Sequence, residues 1–164
     1  MGLLQFKMIE NLLKKSSTEY EIIEHAAVYT SEEAARIRGV DMKSGVKSLI
    51  LKSDSENYLM TLVPGDKRVD LKKLAKILGA KRVSLAQPSE VLKITGCTIG
   101  SVHPFGNVHH LRTWMDRRIL TNERVEFNAG LHTVSIRMKS HDLMNIVKPH
   151  VDDFSMTSAT TESD

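Results

Sequence analysis

Helical and strand-like segments are interleaved along this sequence without the regular strand–helix–strand repeat of a nucleotide-binding α/β fold, which argues for an α+β arrangement. Leu3, Leu4, Met8, Ile9, Leu12 and Leu13 recur at helical spacing, and a short strand, Tyr20 to Ile23, follows. Thr30 with Glu33 has the spacing of a capping box, opening a helix that stops near Gly39. Two strands, Val46 to Lys52 and Tyr58 to Val63, flank the polar turn Ser53-Asp54-Ser55-Glu56-Asn57, and Pro64-Gly65-Asp66 breaks the chain. Asp70 caps a helix that buries Leu71, Leu74, Ile77 and Leu78 and stops at Gly79. A short strand from Val83 to Ala86 and a helix from Pro88 to Gly96 come next. The second half reads as mostly β, with strands Arg124 to Phe127 and His132 to Arg137 around a turn at Asn128-Ala129-Gly130. Ser140 caps a last helix that Pro149 closes. The expected fold is a single α+β domain over residues 1–150 with a mixed, curved sheet. Residues 151–164, small, polar and acidic, read as a disordered tail.

A chain of 164 residues has room for one domain and one sizeable core. No stretch approaches the roughly 20 apolar residues that span a bilayer, so no membrane partner is expected. Charges are scattered through the apolar positions of residues 1–15, unlike a secretory signal. A lone cysteine, Cys97, cannot form an intramolecular disulfide, which fits a reducing compartment; the expected location is the cytoplasm. The net charge of +3 is too small to indicate a nucleic-acid binder by itself. Two basic groups, Lys72, Lys73, Lys76, Lys81 and Arg82, then Arg112, Arg117 and Arg118, would attract a phosphate chain, although a solvated face explains such runs equally simply.

Three places can carry chemistry. Lys47 shares a strand face with Leu49 and Leu51, so its stem either lies on apolar surface at a core edge or its ammonium is a fixed charge for a phosphate or oxyanion. Residues 96–106 hold Gly96, Gly100, Gly106 and Pro104, which excludes a regular helix and suits either a plain connection or a loop whose backbone approaches a ligand. His132, sharing a strand face with Val134 and Ile136, is either a hydrogen-bonded histidine near the core or a group that positions a water or a ribose hydroxyl. His103, His109 and His110 have no carboxylate or cysteine at metal spacing, so no metal is expected. Cys97 has no neighbouring base and reads as a small packed residue. There is no Walker loop, no GxGxxG after a strand and no GxSxG elbow.

Taken in order, several segments resemble the YbaK/EbsC proteins and the editing domain associated with prolyl-tRNA synthetase. They are Thr30-Ser31-Glu32-Glu33-Ala34-Ala35, Gly45 to Leu51, Val63 to Asp70, Gly100 to Gly106 and Phe127-Asn128-Ala129-Gly130-Leu131-His132, spanning about Tyr20 to Pro149. The resemblance implies a sheet curled around a small pocket and hydrolysis of the ester between an amino acid and the terminal adenosine of a tRNA, without cofactor or metal. Its implied partners are the CCA end of aminoacyl-tRNA and a prolyl-tRNA synthetase. On that basis Lys47 holds the CCA-end phosphate or the substrate carbonyl. Gly100, Ser101, Val102, His103 and Pro104 form the glycine-x-x-x-proline loop that positions the ester, the 2′-hydroxyl and the water. His132 lines the acyl pocket, with Thr30 and Asn128 as pocket neighbours. A histidine at 103 departs from the smaller residue often found there; it would narrow the pocket, bind the 2′-hydroxyl or point to solvent. The GSVxPFG form of the loop is similar to members that clear alanyl-tRNA(Pro), with cysteinyl-tRNA(Pro) the second expectation. A non-catalytic module binding tRNA or a synthetase, and a small-molecule ester or amide hydrolase, are the competing readings.

Overall fold

The computed structural model describes residues 2–54 and 57–158. Ser55 and Glu56 of the expected turn, and 159–164 of the expected tail, lie outside the described residues. The elements run α1 (Leu3–Lys15), β1 (Tyr20–Glu24), α2 (Ser31–Arg38), β2 (Val46–Ser53), β3 (Tyr58–Pro64), β4 (Lys67–Val69), α3 (Leu71–Leu78), β5 (Val83–Leu85) and α4 (Pro88–Thr95), then β6 (Arg112–Asp116), β7 (Arg124–Leu131), β8 (Val134–Lys139), α5 (Ser140–Val147), β9 (His150–Asp152) and β10 (Ser155–Thr157). Helices and strands are intermixed as expected of an α+β domain, and the largest sheet is mixed. Its order is β5-β2-β3-β6-β9, antiparallel from β5 to β3 and parallel from β3 to β9. An antiparallel sheet β1-β8-β7 and a ribbon β10-β4 complete the structure, and a bridge between Gly45 and Glu126 ties the start of β2 to β7.

Local chemistry sets the helix ends. Thr30 Oγ1 accepts the Glu33 N–H while Glu33 Oε1 accepts the Thr30 and Tyr29 N–H groups, closing the expected capping box of α2. Asp70 caps α3 by accepting the Lys73 N–H, and Pro88 sits in the first turn of α4. Ser140, expected as a cap, is instead the first residue of α5 and gives its hydroxyl proton to the Asn122 carbonyl.

The two faces of β2 feed two apolar clusters. Val46 and Ile50 face the larger one, with Leu62, Val102, Phe105 and Phe127. Leu49 and Leu51 face the other, with Val63, Leu74, Trp114 and Phe154. Two expectations need correction. The disordered tail does not begin at residue 151: β9 pairs with β6, β10 pairs with β4, and Phe154 is fully buried between them. The buried Asp116 carboxylate fixes this segment by accepting the Phe154 and Ser155 N–H groups at 2.9 and 2.8 Å. The hairpin turn is not at Asn128-Ala129-Gly130 either. There β7 continues through a register shift, with Gly130 at φ +88°, and the turn falls at residues 132–133. A glycine at positive φ serves a bulge as well as a turn. His132 therefore stands at the hairpin tip rather than on a strand face with Val134 and Ile136.

Candidate active site

The tip of the β7–β8 hairpin, the loop after α4 and the entry to α2 meet at one place. His132 Nδ1 lies 3.0 Å from the Val28 carbonyl, which can only accept, so this nitrogen carries the proton. In the neutral ring Nε2 is then an acceptor, and the Thr98 hydroxyl donates to it at 2.8 Å. Ser101 gives its own hydroxyl proton to the Thr98 carbonyl at 2.7 Å. The exposed Tyr29 ring lies with its centroid 4.6 Å from that of His132. Gly100 stands between them at φ +88°, where a Cβ would sit 3.4 Å from His132 Cε1. The contact itself is an ordinary one; it is the positive φ that favours glycine there.

Strand β7 holds the loop by two successive carbonyls. Asn128 Nδ2 donates to Gly100 O at 2.8 Å, and the Gly130 N–H donates to Ser101 O at 3.0 Å. Behind Asn128 lies Arg38, the last residue of α2, which donates from Nη2 to Asn128 Oδ1 (3.1 Å) and from Nε to Ser135 Oγ (2.9 Å). The Ser135 hydroxyl in turn meets His25 Nε2 at 2.7 Å. Burial pushes the Arg38 guanidinium down to about 10, against the Glu126 carboxylate that raises it, so it stays charged at neutral pH.

Of the residues singled out in the sequence, Gly100, Ser101, Asn128 and His132 converge here. Thr30 adjoins Tyr29, but its hydroxyl is engaged in capping α2. Lys47 is half-buried near the start of β2, paired with Val63 and on the face opposite Val46. The residue two before it, Gly45, accepts the Gly65 N–H, and a Cβ on Gly65 would lie 3.6 Å from Ser31 Cβ in the first turn of α2. Val102 and Pro104 are buried and anchor the loop from below.

The imidazole of His103 does none of the three things expected of it. It is fully buried, accepts the Phe105 N–H on Nδ1 at 3.1 Å, and meets His109 Nε2 at 3.0 Å through its own Nε2. Because Nδ1 accepts, Nε2 carries the proton and donates it to His109. Burial, with His109 adding to it, pushes the His103 imidazole down to about 3, and burial lowers His109 as well. Among the described residues no group of three or more His, Cys, Asp or Glu side chains is placed to hold a metal ion. Cys97 is buried and its thiol is pushed up to about 11 by desolvation, the behaviour of a packed residue.

Sequence reasoning missed Arg38, Thr98 and Tyr29. An arginine in the last helical turn ordinarily reads as a solvated partner of the helix dipole, and nothing local reveals the acceptors it meets on β7 and β8.

Residues 25–146 match the family model described as the aminoacyl-tRNA editing domain. The chain belongs to that family. It is 30% identical over 151 residues, 90% of each chain, to the "Multifunctional Ser/Thr-tRNA deacylase ProXp-y" of Escherichia coli (strain K12). It is 39% identical over 88 residues to a proline–tRNA ligase of Thermosipho melanesiensis, a match covering 54% of this chain and 15% of the ligase. A solved structure described as a candidate trans-editing enzyme for prolyl tRNA synthetase superposes with a TM-score of 0.82 at 26% identity, covering 93% of this chain and 97% of that one. The editing-domain chain is thus a hydrolase acting in trans on mischarged aminoacyl-tRNA, with the fold of the trans-editing proteins.

Proposed function

We propose that the site at the β7–β8 hairpin tip removes a small, hydroxyl-bearing amino acid, serine or threonine, from a tRNA that should carry proline. The observation that carries this reading is the His132–Thr98 bond at the mouth of the site. There Nε2 of the imidazole, whose Nδ1–H is directed to the Val28 carbonyl, is met by a side-chain hydroxyl. The β-hydroxyl of a bound seryl group would take the place of the Thr98 hydroxyl. A site that hydrogen-bonds a substrate hydroxyl discriminates far better against an analogue lacking it than an apolar pocket discriminates by one methylene. The Ser/Thr-tRNA deacylase of Escherichia coli, similar along most of this chain, supports the same choice. Removal of alanine or cysteine, the expectation from the loop sequence, is the competing reading.

The chemistry asks little of the side chains. An aminoacyl ester is already activated, so placing a water or the neighbouring 2′-hydroxyl against the carbonyl is the main requirement. Water adds to the ester carbonyl and the C–O bond to the ribose 3′-oxygen breaks, releasing the free amino acid and a tRNA with a 3′-hydroxyl. In this reading the Gly100–Pro104 backbone cradles the ester, with Gly100 and Ser101 held in place by β7. Lys47 supplies positive charge to the CCA-end phosphate or the developing oxyanion, and Tyr29 and Asn128 border the pocket. Similarity to a segment of proline–tRNA ligase supports a synthetase as the partner that delivers the tRNA.

The test is deacylation of tRNA(Pro) charged with serine, threonine, alanine, cysteine or proline, by wild type and Lys47→Ala. Lysine-dependent loss of the seryl or threonyl species, with prolyl-tRNA spared, is the expected result. Preference for alanyl-tRNA would overturn the hydroxyl reading and keep the deacylase. Full activity of a folded Lys47→Ala variant would remove the lysine from the mechanism.

A further inference from the structure

The side chain of Asn128 is an amide with a donor at one end and an acceptor at the other, and rotating it by half a turn exchanges them. What prevents that exchange lies on the far side of the residue from the loop. We infer that Arg38 is a positioning residue for deacylation, acting through Asn128 to hold the Gly100 loop in its working conformation. The inference rests on the reading of that loop as the ester-binding element.

The geometry admits one arrangement. Arg38 Nη2 can only donate, so the Asn128 atom 3.1 Å from it must be Oδ1. Nδ2 is thereby turned to the Gly100 carbonyl, 2.8 Å away, which can only accept. A flipped amide would set donor against donor on one side and oxygen against oxygen on the other. With Gly100 O held, and Ser101 O held by the Gly130 N–H, two successive carbonyls of the loop are directed toward β7.

The guanidinium fork is what makes Arg38 suitable. Its Nε is committed to Ser135 Oγ at 2.9 Å, so the plane is fixed at two points on two strands, β7 and β8. Its Nη1 lies 3.5 Å from the position a Cβ would take on Gly45, two residues before Lys47. The carboxylate of Glu126, buried and engaged by Arg137 Nε at 3.1 Å, supplies countercharge without occupying the fork. One side chain thus joins the end of α2, the strand under the loop and the start of the lysine strand. A lysine carries its three donors on one nitrogen and lacks the planar fork whose Nε and Nη2 reach the two acceptors from separate atoms, so it meets both only by drawing them together on that single point.

The experiment compares wild type with Arg38→Ala, Arg38→Lys and Asn128→Asp on the charged tRNA that wild type hydrolyses. Asn128→Asp is the informative variant: it keeps, and strengthens, the bond to Arg38 but cannot donate to Gly100. The expected result is a drop in kcat of roughly 10- to 100-fold in Arg38→Ala and Asn128→Asp, with KM for tRNA within about threefold, as misplacement of a reacting group produces. Arg38→Lys should fall between, and added guanidinium ion should restore part of the activity of Arg38→Ala but none of that of Asn128→Asp. Unchanged kcat in folded Arg38→Ala overturns the inference, as does a rise in KM alone, which would make Arg38 a tRNA contact. Hydrogen exchange at the Gly130 N–H, bonded to Ser101 O, follows the loop without any need for turnover. It should quicken in Arg38→Ala and Asn128→Asp, and equal protection in all variants overturns the inference. Wild type inactive on every charged tRNA would instead overturn the proposed function, leaving the exchange result to decide whether Arg38 holds the loop.

Discussion

A neutral imidazole has one donor and one acceptor, and backbone groups assign them in opposite senses in two histidines of this chain. At His132 a carbonyl takes the Nδ1 proton, so Nε2 is left to accept from the Thr98 hydroxyl. At His103 an N–H group occupies Nδ1, so the proton sits on Nε2 and goes to His109. His103 supports the loop from within the core and cannot reach a substrate. Its burial has a consequence for pH. The folded-state value, about 3, lies well below the ordinary 6.5, so the unfolded chain binds the proton first. Stability from this group is complete above about pH 6.5 and is lost as pH falls from there toward 3. At pH 5.5 the loss relative to pH 7.5 is about 1.4 kcal/mol from this residue alone. Urea unfolding at pH 7.5 and 5.5 should show that loss in wild type and a smaller one in His103→Asn. An equal pH dependence in both proteins would show that other groups carry it.

Helix α2 shows how one short element serves the site from both ends. Its first turn, through Glu33, fixes the backbone of Tyr29, whose ring lies against His132; its last residue, Arg38, fixes Asn128. Thr30 belongs to the first of these roles. Thr30→Ala should cost about 1 kcal/mol of stability, as loss of an N-cap does, while Thr30→Ser keeps the cap. Deacylation by Thr30→Ala at a temperature where it is fully folded should stay within about threefold of wild type, since the hydroxyl is engaged on the Glu33 N–H. A much larger loss, shared by neither stability nor Thr30→Ser, would return Thr30 to the substrate. The element also shows what a sequence reveals. All five helices were legible, because periodicity and caps such as Thr30 with Glu33 or Asp70 lie within a turn of one another. Strands β4, β6, β9 and β10 were not: they are three to five residues long and hold charged or polar residues such as Lys67, Arg68, Arg112, Asp116, His150 and Asp152, so no apolar run marks them as Tyr20 to Ile23 is marked. The β7–β8 turn was misplaced because Gly130 gives a bulge and a turn the same signature. In the candidate site, local pattern left the Gly100 loop open as a plain connection and His132 as a core histidine, and the family resemblance is what named them, whereas the contacts of Arg38 form only when the end of α2 meets β7 and β8.

At the scale of the whole molecule, β2 carries both apolar clusters, one on each face, and the proposed site, with Lys47 as a member, would draw on both. The Gly100 loop sits on the larger cluster through Val102, while Lys47 leaves β2 on the face that covers the smaller one. Their relative placement therefore depends on the smaller cluster remaining closed, and its closing element is the last strand pair. Phe154 fills that cluster beside Trp114, and Asp116 bonds the backbone on either side of it. Removing a fully buried phenylalanine side chain leaves a cavity that typically costs about 3–5 kcal/mol. If the two clusters form one cooperative unit, Phe154→Ala should lower the urea midpoint seen by Trp114 fluorescence and by far-UV circular dichroism equally. Trp114 is the only tryptophan and lies in the smaller cluster, so its fluorescence reports that side alone, whereas dichroism reports the whole chain. Coincident curves would mean that the site is assembled or lost as a piece, with deacylase activity following the same midpoint. A Trp114 transition well ahead of the dichroism would mean that the C-terminal strands open separately. The lysine face would then loosen while the loop and His132 stayed folded.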